Sequence, residues 1–425
     1  MSAIVDRSFI KKARQQIDSQ FSNTKIGEVF ERCMNNTLDT TIKIKGQETF
    51  IVTGDIPAMW LRDSVCQVRP FLRFAEKDSE LEGMLIGLIN QQMRLIKEDP
   101  YANAFNESSN GAGHQEDLTD MQDGIWERKY EIDSLCYPIQ LSYLLWKKTG
   151  TTAQFNTAYL DSIDLIIELW EQEQHHEESS PYRFQRQTEI KTDTLERGGR
   201  GTETSYTGMT WSGFRPSDDA CTYGYLVPAN QFAVVVLGYL AEILDQQYKA
   251  DSLRQRVTKL KSAIKKGIEK YAVVQHATYG EIYAYEVDGQ GNQLLMDDAN
   301  VPSLLSLPFL GYCAKDDPRY LNTRQFILSK ANPYFYTGKV STGIGSPHTP
   351  KRYIWPISLA VQGLTSQYES ELRLLVNELI RTDADCGMMH ESFDADDAKN
   401  YTREWFSWAN MMFCELVLDI VQTDN

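Results

Sequence analysis

The sequence predicts an all-α fold, a closed ring of six helical hairpins or (α/α)6 toroid, with long loops and short β-hairpins at one end. Three observations predict it. Apolar residues recur at helical spacing along most of the chain. The links between the expected helices alternate strictly between tight and long. No Gly-, Ser- or Pro-rich linker divides residues 1–425, so the whole length reads as a single domain. Helices joined by tight turns are antiparallel neighbours. Alternation therefore brings every long link to the same end, and a ring of hairpins is the simplest architecture with that property.

In chain order, about twelve helices are expected. They cover roughly 8–35, 64–76, 79–98, 130–148, 152–173, 229–246, 251–270, 302–310, 318–329, 354–363, 366–381 and 402–421. Leu81, Leu85, Leu88 and Leu95 mark the third, and Phe155, Tyr159, Ile163, Ile166 and Trp170 the fifth. Leu253, Val257, Leu260, Ile264 and Ile268 mark the seventh. Pro318 after Asp317 is a helix start. Tight links fall near Asp78, Gly150, Ala250, Lys315 and Thr365. The long ones are 36–63, 99–129, 174–228, 271–299, 330–353 and 382–401. Strand-like runs at 280–287 and 293–296 flank Asp288-Gly289-Gln290-Gly291-Asn292, a hairpin turn by composition. Residues 182–190 read as a further strand.

Composition narrows the function. With 42% hydrophobic and 24% charged residues, the chain has apolar mass for a large core. A net charge of −16 argues against nucleic acid or an anionic membrane as partner, since both attract basic patches. Residues 1–9 carry charge where an export signal needs an apolar run. No uninterrupted apolar stretch suits a bilayer. The seven cysteines are odd in number, scattered, and form no Cys-x-x-Cys pair. Cys33, Cys66, Cys136 and Cys414 fall in apolar helical patterns and read as buried thiols of a reducing compartment. A cytoplasmic monomer is expected.

The polar clusters fall in the long links. The first ends in Trp60, Arg62 and Asp63. An indole can stack on the apolar face of a sugar, and a guanidinium with a carboxylate can hold vicinal hydroxyls. A helix start with a core Trp and a structural ion pair would look the same in isolation. The second link carries Asn106, His114-Gln115 and Trp126-Glu127-Arg128-Lys129, followed by Glu131 and Asp133. The third carries Trp211, Arg215, Asp218-Asp219 and Tyr223, and the fourth ends in Asp297-Asp298-Ala299-Asn300. Gly343 to His348 lie in the fifth. His390-Glu391-Ser392-Phe393 lie in the sixth, with Arg403 and Trp405 just inside the last expected helix. Loops on a rigid scaffold that combine Trp, Arg, carboxylates and amides are the usual lining of a saccharide site.

Two carboxyl groups suffice to hydrolyse a glycoside. The candidates are Asp218 or Asp219, whose adjacency should raise one pKa by like-charge repulsion, together with Glu391. Asp297 and Asp298 form a rival pair, with Asp298 better suited as a hydroxyl ligand or as a cap with Asn300. Asp383, Asp385, Asp394, Asp396 and Asp397 read as a solvated acidic loop, and His175-His176 as solvated surface. No zinc or EF-hand spacing is present, so neither a metal nor another cofactor is expected. Gly198, Gly199 and Gly201 do not follow a strand, which argues against a phosphate loop.

Four stretches resemble the family 125 glycoside hydrolases, exo-acting α-1,6-mannosidases: Thr53-Gly54-Asp55-Ile56-Pro57-Ala58-Met59-Trp60-Leu61-Arg62-Asp63-Ser64, Tyr130-Glu131-Ile132-Asp133-Ser134-Leu135-Cys136, Gly213-Phe214-Arg215-Pro216-Ser217-Asp218-Asp219 and Met389-His390-Glu391-Ser392-Phe393. The Met-Trp-Leu-Arg-Asp run is shared by several six-hairpin families; the last two stretches are narrower. The resemblance implies an (α/α)6 barrel and metal-free hydrolysis with inversion, acting on terminal mannose of mannan or N-glycan fragments. It makes Asp218 the general acid and Glu391 the general base, a choice the residues alone leave open. It implies that Trp60, Arg62, Asp63, Asp133, Asp298, Asn300, His348 and Arg403 line the mannose site. Two other readings remain: another six-hairpin glycosidase or phosphorylase, and a non-catalytic sugar-binding protein.

Overall fold

The computed structural model describes residues 6–421. Residues 1–5 of the charged N-terminal run, and 422–425, lie outside that range. The described residues are helix-rich, with six small antiparallel sheets of two or three strands set among them in the long links.

Two kinds of helix build it. Val227–Ile243 is apolar almost all round and buried along most of its length. Asp251–Gly267 buries only a stripe, Val257, Leu260, Ile264 and Gly267, and packs that stripe on Val227–Ile243. The first pattern suits an inner layer and the second an outer one. Leu61–Val68 packs on Ile132–Thr149, which packs on Val227–Ile243, which packs on Leu307–Leu310. On the other side, Pro356–Leu364 packs on Ser407–Val421, which returns to Leu61–Val68. Ser79–Glu98 and Glu369–Arg381 pack outside Ile132–Thr149 and Pro356–Leu364. By hydropathy and length Val227–Tyr248 passes as a membrane span, contrary to the sequence expectation. Yet 72% of its apolar window is buried within the protein, the position of a core helix.

Several expected boundaries hold. Ser79–Glu98 starts where Asp78 accepts the N–H groups of Glu80 and Leu81 at 3.0 and 3.1 Å. Gly150 closes Ile132–Thr149 at φ 77°, a left-handed cap that glycine takes without strain. The hairpin around 288–292 forms, pairing Glu286–Val287 with Gln293–Leu294.

Other expectations fail for local reasons. The helix expected over 8–35 is two, Ser8–Gln20 and Lys25–Asn36. Phe21 turns extended between them, and Asn23 accepts the Lys25 N–H at 3.2 Å, so side-chain bonding competes with the helix. The helix expected over 302–310 shrinks to Leu307–Leu310, because the Asp297 carboxylate takes the Leu304 and Leu305 N–H groups at 2.8 and 2.9 Å. Residues 182–190 form no strand; a single bridge joins Leu118 to Gln185. The last helix begins at Ser407, after a strand at Asp397–Thr402. His176 is not solvated: it is buried, bonds Glu173 at 2.6 Å and stacks on Trp211 at 3.6 Å. Asp383 is likewise buried, against Lys25 at 2.9 Å.

Replacing Asp78 by Ala should destabilise the protein by about 1 kcal/mol, the usual worth of an N-cap, measured by urea denaturation.

Candidate active site

Arg62 organises the site. Strand Met59–Trp60 pairs with Ala104–Phe105, and the Leu61 N–H donates to Asn103 O at 3.1 Å, which fixes where helix Leu61–Val68 begins. Arg62 therefore points inward from a first helical turn. Its guanidinium is almost fully buried. Nη1 donates to Glu131 Oε2 at 2.5 Å and to Asp133 Oδ2 at 3.2 Å; Nη2 donates to Asp218 Oδ1 at 3.2 Å. Asp63 lies 3.5 Å from Nε, and the Trp408 ring centroid 5.5 Å from the guanidinium carbon. Four carboxyls thus gather on one cation. Burial raises the pKa of Asp63, and that of Asp133 to about 6, despite Arg62.

Asp218 sits at the tip of a tight turn. The Arg215 N–H donates to Asp219 O at 2.8 Å and the Asp218 N–H to Arg215 O at 2.9 Å, which leaves Asp218 left-handed at φ 66°. Aspartate tolerates that region better than most residues. Asn103 Nδ2 reaches Asp218 Oδ1 at 3.4 Å, and Lys129 Nζ its backbone oxygen at 2.8 Å. Burial pushes the Asp218 carboxyl up, but Arg62 and Lys129 outweigh it and hold the pKa below the ordinary value. Asp219 is also lowered: His348, 3.6 Å away, outweighs its burial. The expected like-charge elevation within this pair is therefore absent, because each acid faces its own cation.

Glu391 comes from the opposite wall. Strand Ser392–Asp394 pairs with Asp397–Thr402, matching Ser392 to Thr402, so the residues flanking this hairpin, Glu391 and Arg403, meet at its base. The Glu391 N–H donates to Arg403 O at 3.3 Å, and Arg403 Nη1 donates to Glu391 Oε1 at 3.4 Å. Arg403 also pairs with Asp55 and is itself left-handed, at φ 38°.

The fourth and fifth links are tied together. Asp298 accepts the backbone and side-chain N–H groups of Asn300 at 3.0 and 2.9 Å and the Ser346 hydroxyl at 3.0 Å. Ser346 in turn accepts the His348 N–H at 3.2 Å. Burial pulls the His348 imidazole down, but Asp219, Glu391 and Asp218 outweigh it and raise its pKa to about 9.

One cavity gathers these groups. Trp60, Arg62, Asp63, Asp218, Asn300, His348, Glu391 and Arg403 all line it. Asp133 and Asp298 do not. They are buried behind the wall, where Asp133 holds Arg62 and Asp298 holds Asn300. The cavity is small, about 50 Å3, against about 750 and 710 Å3 for two grooves lined in part by Asp251–Gly267. Neither groove combines paired acids with indole faces.

Residues 23–418 match the family described as metal-independent alpha-mannosidase, GH125. This chain belongs to glycoside hydrolase family 125. It is 41% identical to the meiotically up-regulated gene 157 protein of Schizosaccharomyces pombe, over 98% of this chain and 87% of that one. It is 51% identical to a metal-independent alpha mannosidase of Streptococcus pneumoniae, solved in a non-productive complex with alpha-1,6-mannobiose. That match covers 98% and 97% of the two chains with a TM-score of 0.95. A glycosidase only 10% identical shares the fold over 94% and 97% of the chains, with a TM-score of 0.58.

In this GH125 chain, several residues of the cavity escape the sequence reading. Trp355, Phe406 and Trp408 line the cavity, as do Thr53, Ile56, Pro216 and Ser217. Trp355 and Trp408 sit in apolar helical runs that read as core; only the neighbouring loops hint that one edge of each faces a site. Trp405, singled out by sequence, is not among the lining residues, and Arg403 and Trp405 precede the last helix. Trp211 and Arg215 are structural: Trp211 stacks on His176, and Arg215 bonds Glu286 at 2.5 Å. Asn106 holds three backbone carbonyls of its own link.

Arg62→Met should destabilise the protein by about 3–5 kcal/mol, because it leaves buried carboxylates without their cation; chemical denaturation measures this. NMR titration of the His348 ring should give a pKa near 9, falling in Asp219→Asn. The folded value lies above the unfolded one. The stability His348 contributes is therefore complete below the unfolded pKa and is lost as pH rises through about 9.

Proposed function

We propose that this chain is an exo-acting hydrolase that removes terminal α-1,6-linked mannose with inversion, Asp218 serving as general acid and Glu391 as general base. The observation that carries this reading is a single small cavity lined by both carboxyls, each attached to its own arginine. Asp218 would protonate the glycosidic oxygen while Glu391 deprotonates a water on the opposite face of the sugar. Asp218 lines the cavity, whereas Asp219 takes the Ser217 hydroxyl at 3.0 Å and faces His348, which favours Asp218 as the acid. Trp60, Trp355 and Trp408 offer aromatic faces for the ring, and Arg62, Asp63, Asn300 and His348 offer partners for its hydroxyls. The α-1,6 linkage and N-glycan fragments as source are supported by the pneumococcal relative, whose complex holds alpha-1,6-mannobiose.

The six-hairpin ring is our reading of the helix packing. The inner sequence Leu61–Val68, Ile132–Thr149, Val227–Ile243, Leu307–Leu310, Pro356–Leu364 and Ser407–Val421 supports it. A single domain is supported by one apolar core that runs from Ile10 to Val421. A cytoplasmic setting is supported by seven cysteines that are all free thiols.

Asp218→Asn and Glu391→Ala should each lower kcat on α-1,6-mannobiose by about 10²–10⁴-fold, with binding of mannose retained in a calorimetric titration. Near-normal turnover by either variant contradicts the assignment. Proton NMR of the wild-type reaction should show β-mannose as the first product; α-mannose at early times contradicts inversion.

A further inference from the structure

Glu131 has no part in the chemistry above, yet it lies as deeply enclosed as Asp133 in the cluster around Asp218. Its side chain has no exposure to solvent. Oε2 accepts Arg62 Nη1 at 2.5 Å and the Ser134 hydroxyl at 2.8 Å. Oε1 is equally buried and receives no donor. A buried carboxylate oxygen without a donor is costly.

The neighbour that could relieve it is Asp218. One planar guanidinium holds both acids, Glu131 on Nη1 and Asp218 on Nη2, so the two carboxyls are neighbours on one cation and each feels the other's charge. Two carboxylates are both acceptors and repel. A single proton between them turns one into a donor and removes the repulsion. The surrounding charges ask for that proton. Helix Leu61–Val68 presents Arg62 and Asp63, and the 129–133 segment presents Lys129 and Asp133. Asp219 lies next to Asp218 in its turn, His348 comes from the fifth link, and Glu391 and Arg403 stand across the cavity as a pair. Setting that last pair aside, three cations face five acids.

We propose, on the reading that Asp218 is the general acid, that Glu131 is its positioning partner and stores the proton that Asp218 delivers to the glycosidic oxygen. At rest the proton sits on Glu131: burial raises that carboxyl well above its ordinary range, whereas Asp218 is held low. In the reaction the Glu131 O–H breaks as an Asp218 O–H forms. That bond then breaks as the glycosidic oxygen takes the proton together with the electron pair of the C1–O bond. The attacking water gives its own proton to Glu391. Both Asp218 and Glu131 end as carboxylates; solvent returns one proton to the pair and removes one from Glu391.

Glu131→Gln tests this, since glutamine keeps the shape and the Arg62 contact but cannot pass on a proton. The alkaline limb of the kcat profile on α-1,6-mannobiose should move down by about one pH unit, and turnover at neutral pH should fall about 10²-fold. Turnover of α-mannosyl fluoride, whose leaving group needs no proton, should fall far less. An unmoved alkaline limb, or an equal loss on both substrates, overturns the proposal. Asp218→Asn measured in parallel separates the two layers. If it loses mannobiose turnover but largely keeps the fluoride while Glu131→Gln leaves the limb unmoved, only the role of Glu131 fails. If it turns over mannobiose normally, the assignment of Asp218 itself fails. Should Glu131→Gln not fold, carboxyl ¹³C NMR of the wild type decides. A glutamate carboxyl still protonated at neutral pH supports the proposal, and complete ionisation of all glutamates overturns it.

Discussion

A buried arginine bound to four carboxyls is the constraint on which this site depends. Arg62 draws Asp63 from its own helix, Glu131 and Asp133 from the start of Ile132–Thr149, and Asp218 from a turn far along the chain. Taking one guanidinium and four acids out of water costs more than their mutual attraction returns unless every group is well placed. The helices supply that placement. Leu61–Val68 and Ile132–Thr149 pack directly on each other, so the arginine and two of its acids are held by core packing.

Two loops then bring residues in left-handed conformations to this foundation. Asp218 and Arg403 both occupy the left-handed region without being glycine. Such conformations persist where the surrounding bonds over-determine them. For Asp218 those bonds are the 215–219 turn and Arg62; for Arg403 they are the base of the 392–402 hairpin, Asp55 and Glu391. Each acid is thereby tied to a cation on its own wall, and the two walls face across one cavity. His348 and Asn300 complete the rim through Ser346 and Asp298, neither of which is among the lining residues.

Much of this was legible in the sequence where local chemistry decides. Asp78 and the leucine stripe fix Ser79–Glu98, and the polar clusters of the long links place eight of the ten named site residues on the cavity wall. What escaped depends on distant partners. Nothing local shows that Asp297 will capture the backbone of 304–305 and shorten the following helix, or that His176 will be buried beneath Trp211. Asp133 and Asp298 lie behind the cavity wall, on Arg62 and Asn300, because an acid that lines a cavity and one that holds a lining residue look alike in sequence. Trp355 and Trp408 were hidden by the opposite effect, an apolar setting that matches the core on every side but one.

The central claim is that Asp218 and Glu391 flank one glycosidic bond with a water between Glu391 and the sugar. A crystal structure of Asp218→Asn with intact α-1,6-mannobiose across the cavity tests it most directly. The account predicts the carboxamide and the Glu391 carboxyl about 6.5–9.5 Å apart, with a water on Glu391 facing the anomeric carbon. A separation near 5 Å without room for that water, or the bond lying away from either side chain, would contradict it.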